Sequence, residues 1–325
     1  MSPKHSFFAA VACALPLSFA ACGSSNNNND SPIIPEGPHY GFVVSQASIP
    51  TTNQQFALDL GSKTSSKPDG TIDNALGGVL GTLKRLNFDV QGTVTKAVDQ
   101  GTILLLIDLQ TEDLKNSSAA GFSVKFGAMP QPPACNPAGG DTVCRRHLDG
   151  QGSFQIATDS PTDSGVAGKI VNGAFTGGPG AVTLQIAIGS TVPINLNLVH
   201  ARVQGTIDAT NSTLTATIGG LVTQTELNTQ IGPALQQQVL AIFSAQCTAG
   251  ATCDCPADSQ AALLLGLGIE PDNSCMVTVD QVLNSPAVKT ELQPDSCSMD
   301  SCTTPDSISL GVQVQAVKAA FPGVM

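Results

Sequence analysis

The sequence has few of the residues from which most catalytic and nucleic-acid-binding sites are built. It contains no tryptophan, one tyrosine and four histidines in 325 residues, and only 12% of the residues are charged. It also lacks G-x-S-x-G, H-E-x-x-H, P-loop and dinucleotide-binding motifs. We therefore expect a protein without enzymatic activity, although a Ser–His–Asp set could still assemble in the folded chain.

Positive charge is also scarce. Lysine and arginine number 14 against 25 aspartates and glutamates, which gives a formal net charge of −11. Such a chain repels phosphate backbones and anionic headgroups, so nucleic acid is not an expected partner. Glycine, threonine, asparagine and glutamine are frequent instead, a composition typical of exported β-rich proteins.

The apolar run near the N-terminus is short. It extends from Phe7 to Phe19, whereas a transmembrane helix needs about 20 residues. It ends in Phe19-Ala20-Ala21-Cys22-Gly23, which resembles the lipobox of bacterial lipoproteins. The resemblance implies that residues 1–21 are a signal peptide and that Cys22 is acylated, with palmitate-type chains, as the new N-terminus. An ordinary cleaved signal with an incidental cysteine is the alternative.

Residues 22–38 carry the polar, proline-bearing stretch "GSSNNNNDSPIIPEGP". It shows neither helical nor strand periodicity, so we expect a disordered tether that holds a globular body away from a membrane. The lipoprotein resemblance implies an exported, lipid-anchored envelope protein. Because Gly23, not aspartate, follows the cysteine, it implies the outer membrane. The expected partners are the membrane, through the anchor, and an envelope protein, with the oligomeric state left open.

The cysteines outside the signal and anchor are even in number, which in an exported chain predicts disulfide bonds. The eight candidates are Cys135, Cys144, Cys247, Cys253, Cys255, Cys275, Cys297 and Cys302. Proximity favours Cys135–Cys144 and Cys297–Cys302, and leaves the middle four to pair among themselves. A zinc site at Cys247, Cys253, Cys255 and Cys275 is the alternative, although C-x-C is not the usual zinc spacing.

Residues 39–222 predict a β-rich body. Alternation of apolar and polar residues predicts strands, and it occurs at Tyr40–Val44, Leu86–Val94, Phe122–Phe126, Phe154–Ile156, Val182–Ile188, Ile194–Val203 and Leu214–Ile218. The continuously apolar Ile103–Ile107 predicts a strand buried on both faces. A one-residue slip in phase near Val199 predicts a bulge. One helix is expected near 73–86, where Gly77, Gly78 and Gly81 would allow close packing on a sheet.

Residues 223–303 predict short helices laced by disulfides, and 304–325 predict a last strand that returns to the sheet. Thr223-x-x-Glu226 and Thr278-x-x-Gln281 have the capping-box pattern, and Gly232-Pro233 predicts a break between two helices. The fold class is therefore α+β and mainly β: an antiparallel sandwich or a curled sheet with a helical, cysteine-rich region.

The stretch "KPDGTIDNALGG", residues 67–78, partly matches a calcium loop. Asp59, Asp69 and Asp73 are the candidate ligands, but Lys67 and Leu76 occupy positions where a calcium loop has oxygen ligands. The favoured interpretation is a turn that leads into a helix capped by Asp73. Calcium at this loop, and hence a calcium-dependent binding module, is an alternative; no other cofactor is expected.

Several motifs together resemble a group of uncharacterised lipoproteins from myxobacterial-type bacteria. They are the lipobox, the Asn/Ser tether, "DG-x-x-DN-x-LG", "PPAC…VCRRHL" and "G-x-FTGGPG". The resemblance implies a fuller acidic loop ancestral to the one here, and it implies no activity.

Two further hypotheses concern ligands and histidines. The long alternating strands before the helix that follows Thr223 have the order of tubular lipid carriers, so an apolar-ligand or lipid carrier is an alternative function. Of the histidines, His200 is expected to be solvated, His147 to lie in an exposed basic turn, and His39 to end the tether.

Overall fold

The computed structural model describes residues 37–61, 74–86, 88–189, 193–248, 252–270, 272, 274–299 and 302–324. The strands are β1 (His39–Ser48), β2 (Leu105–Thr111), β3 (Asn116–Gln131), β4 (Ser153–Ile156), β5 (Gly165–Val171), β6 (Ala174–Ile186), β7 (Ile194–Asp208), β8 (Thr213–Thr223) and β9 (Ser307–Lys318). The α-helices are α1 (Ala75–Arg85), α2 (Val90–Asp99), α3 (Gln224–Glu226), α4 (Gly232–Gln246), α5 (Gln260–Gly266), α6 (Val279–Asn284) and α7 (Pro286–Glu291).

Eight of these strands form one antiparallel sheet that closes on itself as a barrel. The order is β2-β1-β9-β8-β7-β6-β5-β3, and β2 pairs again with β3 to close the ring. The short β4 is an extra strand on the far end of β3. A sandwich is therefore not confirmed, and the curled sheet is the closer of the two predictions. The last strand returns as predicted, since β9 lies between β1 and β8.

The concave side of the closed sheet is filled with apolar side chains. The rings of Phe122 on β3 and Phe175 on β6 lie 5.6 Å apart, although β5 separates these strands in the sheet. Such a contact requires both rings to point inward. Residues paired across neighbouring strands share a face, which identifies further inward and fully buried side chains: Leu109, Val166, Leu184, Leu196, Leu198, Val203, Leu214 and Ile218.

The helices α1 and α4 cover apolar side chains near the ends of three strands. Leu80 and Leu83 of α1 and Leu235 of α4 line one small void together with Leu196 and Leu310. The fold therefore has a single continuous main core shared by the sheet and the helices.

The prediction of a strand over Leu86–Val94 is wrong, because this segment leads into α2. Asp89 caps that helix by accepting a hydrogen bond from the N–H of Gly92 at 2.8 Å. The buried residues of α2 are Val90, Val94, Ala97 and Val98. Their spacing is helical. Only Val90 and Val94, the first two of them, also fit the alternating pattern of a strand.

Helix α1 lies at the predicted position and packs on β9 of the sheet, but two of its glycines face a different segment. A Cβ atom on Gly81 would lie 2.1 Å from the carbonyl oxygen of Thr51, and one on Gly77 would lie 2.4 Å from that of Thr52. These two glycines therefore allow close approach of a connecting segment, not of a sheet. Asp73, the predicted cap, lies outside the described residues, and Asn74 occupies the cap position.

The helices after β8 follow the prediction in part. Thr278 and Gln281 form a full capping box. Thr223 accepts from the N–H of Glu226, but the Glu226 carboxylate binds Asn197 of β7 and so does not complete the box. The predicted break at Gly232-Pro233 is absent, because a π-helical turn, Leu227–Ile231, leads directly into α4.

Candidate functional site

The predicted lipidation and metal residues lie mostly outside the described part of the chain. This applies to Cys22, to the signal and to residues 22–36 of the tether, and to Asp69 and Asp73. Asp59 is described and half-buried, and its Oδ1 accepts a hydrogen bond from the N–H of Gly61 at 2.8 Å. Lipidation and calcium binding therefore remain predictions.

The eight predicted disulfide cysteines form four bonds. The bonds are Cys135–Cys144, Cys247–Cys255, Cys253–Cys275 and Cys297–Cys302. The two outer pairs are those that proximity favours, and the middle four pair among themselves. The prediction of disulfide bonds is thus confirmed.

The zinc alternative concerns the sulfurs of Cys247, Cys253 and Cys255, which lie within 4.8 Å of one another. Two adjacent disulfides account for this proximity, because each sulfur is bonded to another cysteine. Zinc binds the thiolate form of cysteine, which a disulfide does not provide. The geometry is that of two packed disulfides.

The three described histidines lie in settings that differ from the predicted ones. His39 begins β1, and its Nδ1 lies 2.9 Å from a carboxylate oxygen of Asp108. His147 is fully buried, so the predicted exposed turn is wrong for this residue. His200 is half-buried in the predicted bulge, where its Nε2 donates to the carbonyl of Ser298 at 2.8 Å. It is therefore not the freely solvated side chain that its position beside polar residues predicts.

A cluster of serines and aspartates joins the start of β9 to the segment before it. We call it the serine–aspartate cluster; its members are Asp295, Ser296, Ser298, Asp306, Ser307 and Ser309. Ser296, Ser307 and Ser309 are fully buried. Sequence analysis missed this cluster, although the serine and aspartate content of residues 295–309 signals local hydrogen bonding.

The cluster completes hydrogen bonds on an edge of β9 that β1 does not reach. Pairing of β1 with β9 ends at Gln313. Beyond it, Asp295 accepts from the N–H of Ser309 at 3.2 Å, and Ser296 exchanges two backbone bonds with Ser307. Buried backbone groups need partners. The cluster therefore supplies to this edge of β9 the hydrogen bonds that a neighbouring strand would otherwise make.

Asp306 is the most strongly hydrogen-bonded carboxylate of the cluster. Burial by itself raises its pKa, but the hydroxyl and N–H of Ser298 and the hydroxyl of Ser307 outweigh burial and lower it. The two bonds from Ser298 each measure 2.7 Å. Asp306 is therefore a charged acceptor that holds Ser298, the residue after Cys297.

His200 contacts the serine–aspartate cluster, but the serine, histidine and aspartate side chains are not in a catalytic order. The His200 ring binds the Ser298 carbonyl, while the Ser298 hydroxyl donates to Asp306. Among the residues that the structure describes, no serine or threonine hydroxyl is hydrogen-bonded to a histidine ring. A nucleophile needs such a base within reach. The geometry is instead that of a hydrogen-bond network that joins the start of β9 to the segment before it.

Two apolar voids lie in the described core. One is lined by α1, α4, α6 and α7, the other by α1, α4 and the ends of β6, β7 and β9, and each measures about 20 Å³. A void of roughly 10–15 Å³ holds one water molecule. Neither void has room for a lipid chain as the side chains stand.

Comparisons with family models, curated proteins and solved structures found no match for this chain. In the described part of the chain, no helix is both long and apolar enough to cross a membrane.

Proposed function

We propose that this chain is an exported, lipid-anchored protein of the cell envelope with a structural or binding role and no catalytic activity. The observation that carries the proposal is the pairing of all eight cysteines of residues 37–325 in disulfides. Disulfides at this density form in oxidising compartments outside the cytosol. Together with Phe19-Ala20-Ala21-Cys22, they support export followed by acylation.

The architecture supports a role in display or binding. A side-chain-filled core, a helical layer and four disulfides produce a rigid body whose outer surface is available to partners. The small voids do not favour an apolar-ligand carrier, and the serine–aspartate cluster does not favour catalysis. On the lipoprotein resemblance, the proposed location is the outer membrane.

The experiment that tests this function is a comparison of the wild-type protein with Cys22→Ala in cells. We expect wild-type protein to incorporate labelled palmitate and to partition into the detergent phase, and Cys22→Ala to lose both properties. Cys13→Ala, within the apolar run, is the matched control and should behave as wild type. If Cys22→Ala still takes up palmitate and stays in the detergent phase, the anchor is not at this residue and the proposal fails.

A further inference from the structure

Two disulfide bonds contact one another in the helical region after β8. Cys247 is bonded to Cys255, and Cys253 is bonded to Cys275; we call these two bonds the twin disulfides. The Sγ atoms of Cys253 and Cys255, which belong to different bonds, lie 3.6 Å apart. Reacting atoms in a near-attack arrangement are about 3–3.5 Å apart. A sulfur of one twin disulfide is therefore almost within attacking distance of the other.

The local backbone produces this contact. Thr248 and Asp254 exchange two backbone hydrogen bonds, of 2.8 and 3.2 Å, which place Cys247 beside Cys255. Cys253 directly precedes Asp254, and the Sγ atoms of the three cysteines all lie within 4.8 Å of one another. The contact is thus set by residues that are close together in the chain.

Burial determines which sulfurs an external thiol can reach. Cys253 is 6% exposed, whereas Cys247, Cys255 and Cys275 are half-buried. Thiol–disulfide exchange begins with the attack of a thiolate on an accessible disulfide sulfur. Each of the twin disulfides therefore has an end that is open to a small-molecule thiol.

We propose that the twin disulfides are a thiol–disulfide exchange site, at which a small-molecule thiol converts both bonds into one new bond between Cys253 and Cys255. The inference goes beyond the structural or binding role proposed above, and it is independent of the lipid anchor. Cys253 and Cys255 are two residues apart, so their Cα atoms are separated by at most about 7 Å. This is close to the range that a disulfide spans, so the new bond requires little backbone movement.

Attack at Cys247 starts one route to this product. The external thiolate bonds to the Cys247 sulfur, and the electron pair of the Cys247–Cys255 bond leaves on Cys255. The Cys255 thiolate then attacks Cys253, and the electron pair of the broken bond leaves on Cys275, which takes a proton from water. A second thiol removes the first from Cys247 as an external disulfide. In sum, two thiols are oxidised to one disulfide, while two protein disulfides become one disulfide and two cysteine thiols.

Attack at the other twin disulfide leads to the same product. An external thiol that bonds to Cys275 releases the Cys253 thiolate. That thiolate attacks Cys255 across the same 3.6 Å and releases Cys247. Either route therefore frees Cys247 and Cys275, which are not partners in the oxidised protein. Because α5 lies in the loop that Cys253–Cys275 closes, the exchange opens the covalent loop around this helix.

The test uses the oxidised full-length protein, in which any free thiols are first blocked with unlabelled N-ethylmaleimide. After removal of this reagent, reduced glutathione is added at about pH 8, where thiols are partly ionised, and is raised until at least one of the four disulfides reacts. Isotope-labelled N-ethylmaleimide then stops the reaction. Mass spectrometry of non-reduced peptides reports which cysteines carry glutathione or label. The matched control is Cys253→Ala/Cys275→Ala, which keeps the Cys247–Cys255 bond without its neighbour, and circular dichroism verifies that it is folded.

In the wild type, molecules modified at both Cys247 and Cys275 should outnumber those modified at the two ends of one original bond by at least about ten-fold, because attack between the twin disulfides is effectively unimolecular. The control variant should be modified at Cys247 and Cys255. If the control variant does not fold, the Cys135–Cys144 bond of the wild type is the internal reference, and its modifications should stay on its own two cysteines.

A smaller excess of molecules modified at Cys247 and Cys275 overturns the inference. It is also overturned if another disulfide reacts while the twin disulfides stay unmodified. None of these outcomes bears on membrane attachment, which the palmitate experiment tests separately.

Discussion

The side chain of Asn74 takes the place of a β-strand beside Gly311. Its Nδ2 donates to the Gly311 carbonyl at 3.1 Å, and its Oδ1 accepts from the Gly311 N–H at 2.9 Å. Both residues are buried. Ser309, two residues earlier in β9, accepts from the N–H of Ala75 at 2.8 Å through its hydroxyl. These contacts join the start of α1 to an edge of the sheet that β1 leaves open.

Asn74→Ala should therefore be strongly destabilising. It leaves a buried N–H and a buried carbonyl of Gly311 without partners, and each unsatisfied group costs about 1–3 kcal/mol. We expect a loss of about 3 kcal/mol in the free energy of unfolding, measured by denaturant titration. Asn195→Ala, at an exposed position of β7, should change it by less than about 0.5 kcal/mol. A change of that small size for Asn74→Ala would show that the pairing with Gly311 contributes little.

Two glycines of α1 should respond oppositely to alanine. A Cβ atom on Gly78 would have no contact closer than 3.8 Å, whereas one on Gly81 would lie 2.1 Å from the Thr51 carbonyl oxygen. Gly78→Ala should stabilise the protein by about 0.5–1 kcal/mol through helix propensity. Gly81→Ala should destabilise it by about 2 kcal/mol or more, because backbone must move. Melting temperatures of the two variants, compared with wild type, provide the measurement; stabilisation by both would refute the close approach.

His147 should make stability fall in mild acid. Burial lowers the pKa of His147 and the nearby Arg145 adds to this, while the backbone of Val98 and the Asp99 carboxylate oppose it without cancelling it. The ordinary pKa of histidine is about 6.5. Below that pH the unfolded chain binds a proton that the folded chain does not, so the free energy of unfolding decreases as the pH falls.

The expected slope for His147 approaches 1.4 kcal/mol per pH unit below about pH 6.5, until the folded state also takes up the proton. The imidazole packs edge-on against the ring of Phe154, so His147→Phe keeps an aromatic ring but cannot titrate. Unfolding free energies from pH 7.5 to pH 5 should fall more steeply for the wild type than for His147→Phe. Parallel curves would contradict this assignment. His200→Phe, at a half-buried histidine, is the control for the replacement of histidine by phenylalanine.

The loss in the free energy of unfolding on removal of a disulfide should increase with the length of the loop that the disulfide closes. Cys253 and Cys275 are 22 residues apart, and Cys297 and Cys302 are 5 apart. On the chain-entropy model, their replacement by alanine pairs should cost about 3 and about 2 kcal/mol respectively. Denaturant titration under non-reducing conditions measures both. The reverse order would show that packing around the Cys297–Cys302 loop, including Asp306, outweighs chain entropy.

Most strands were predictable because burial of one face imposes alternation on the sequence. Phe122, Val124 and Phe126 of β3 are buried, with less buried residues between them, as their pattern predicts. The slip near Val199 is a register shift between β7 and β8. β5 was not predicted, since its "GVAGKIV" has two glycines and a weak alternation. The error at α2 arose because the spacing of Val90 and Val94 fits both the two-residue period of a strand and the 3.6-residue period of a helix.

The sequence by itself determined the alternating strands, the even set of cysteines, the capping box at Thr278 and the signal-like N-terminus, because each depends on residues close together in the chain. Closure of the sheet depends on the pairing of β9 with β1, whose partners, such as Phe42 and Lys318, are far apart in sequence. The partnership of Asn74 with Gly311 joins residues 237 positions apart. Only the tertiary structure decided these features, since backbone groups accept any partner of suitable geometry and leave little trace in residue type.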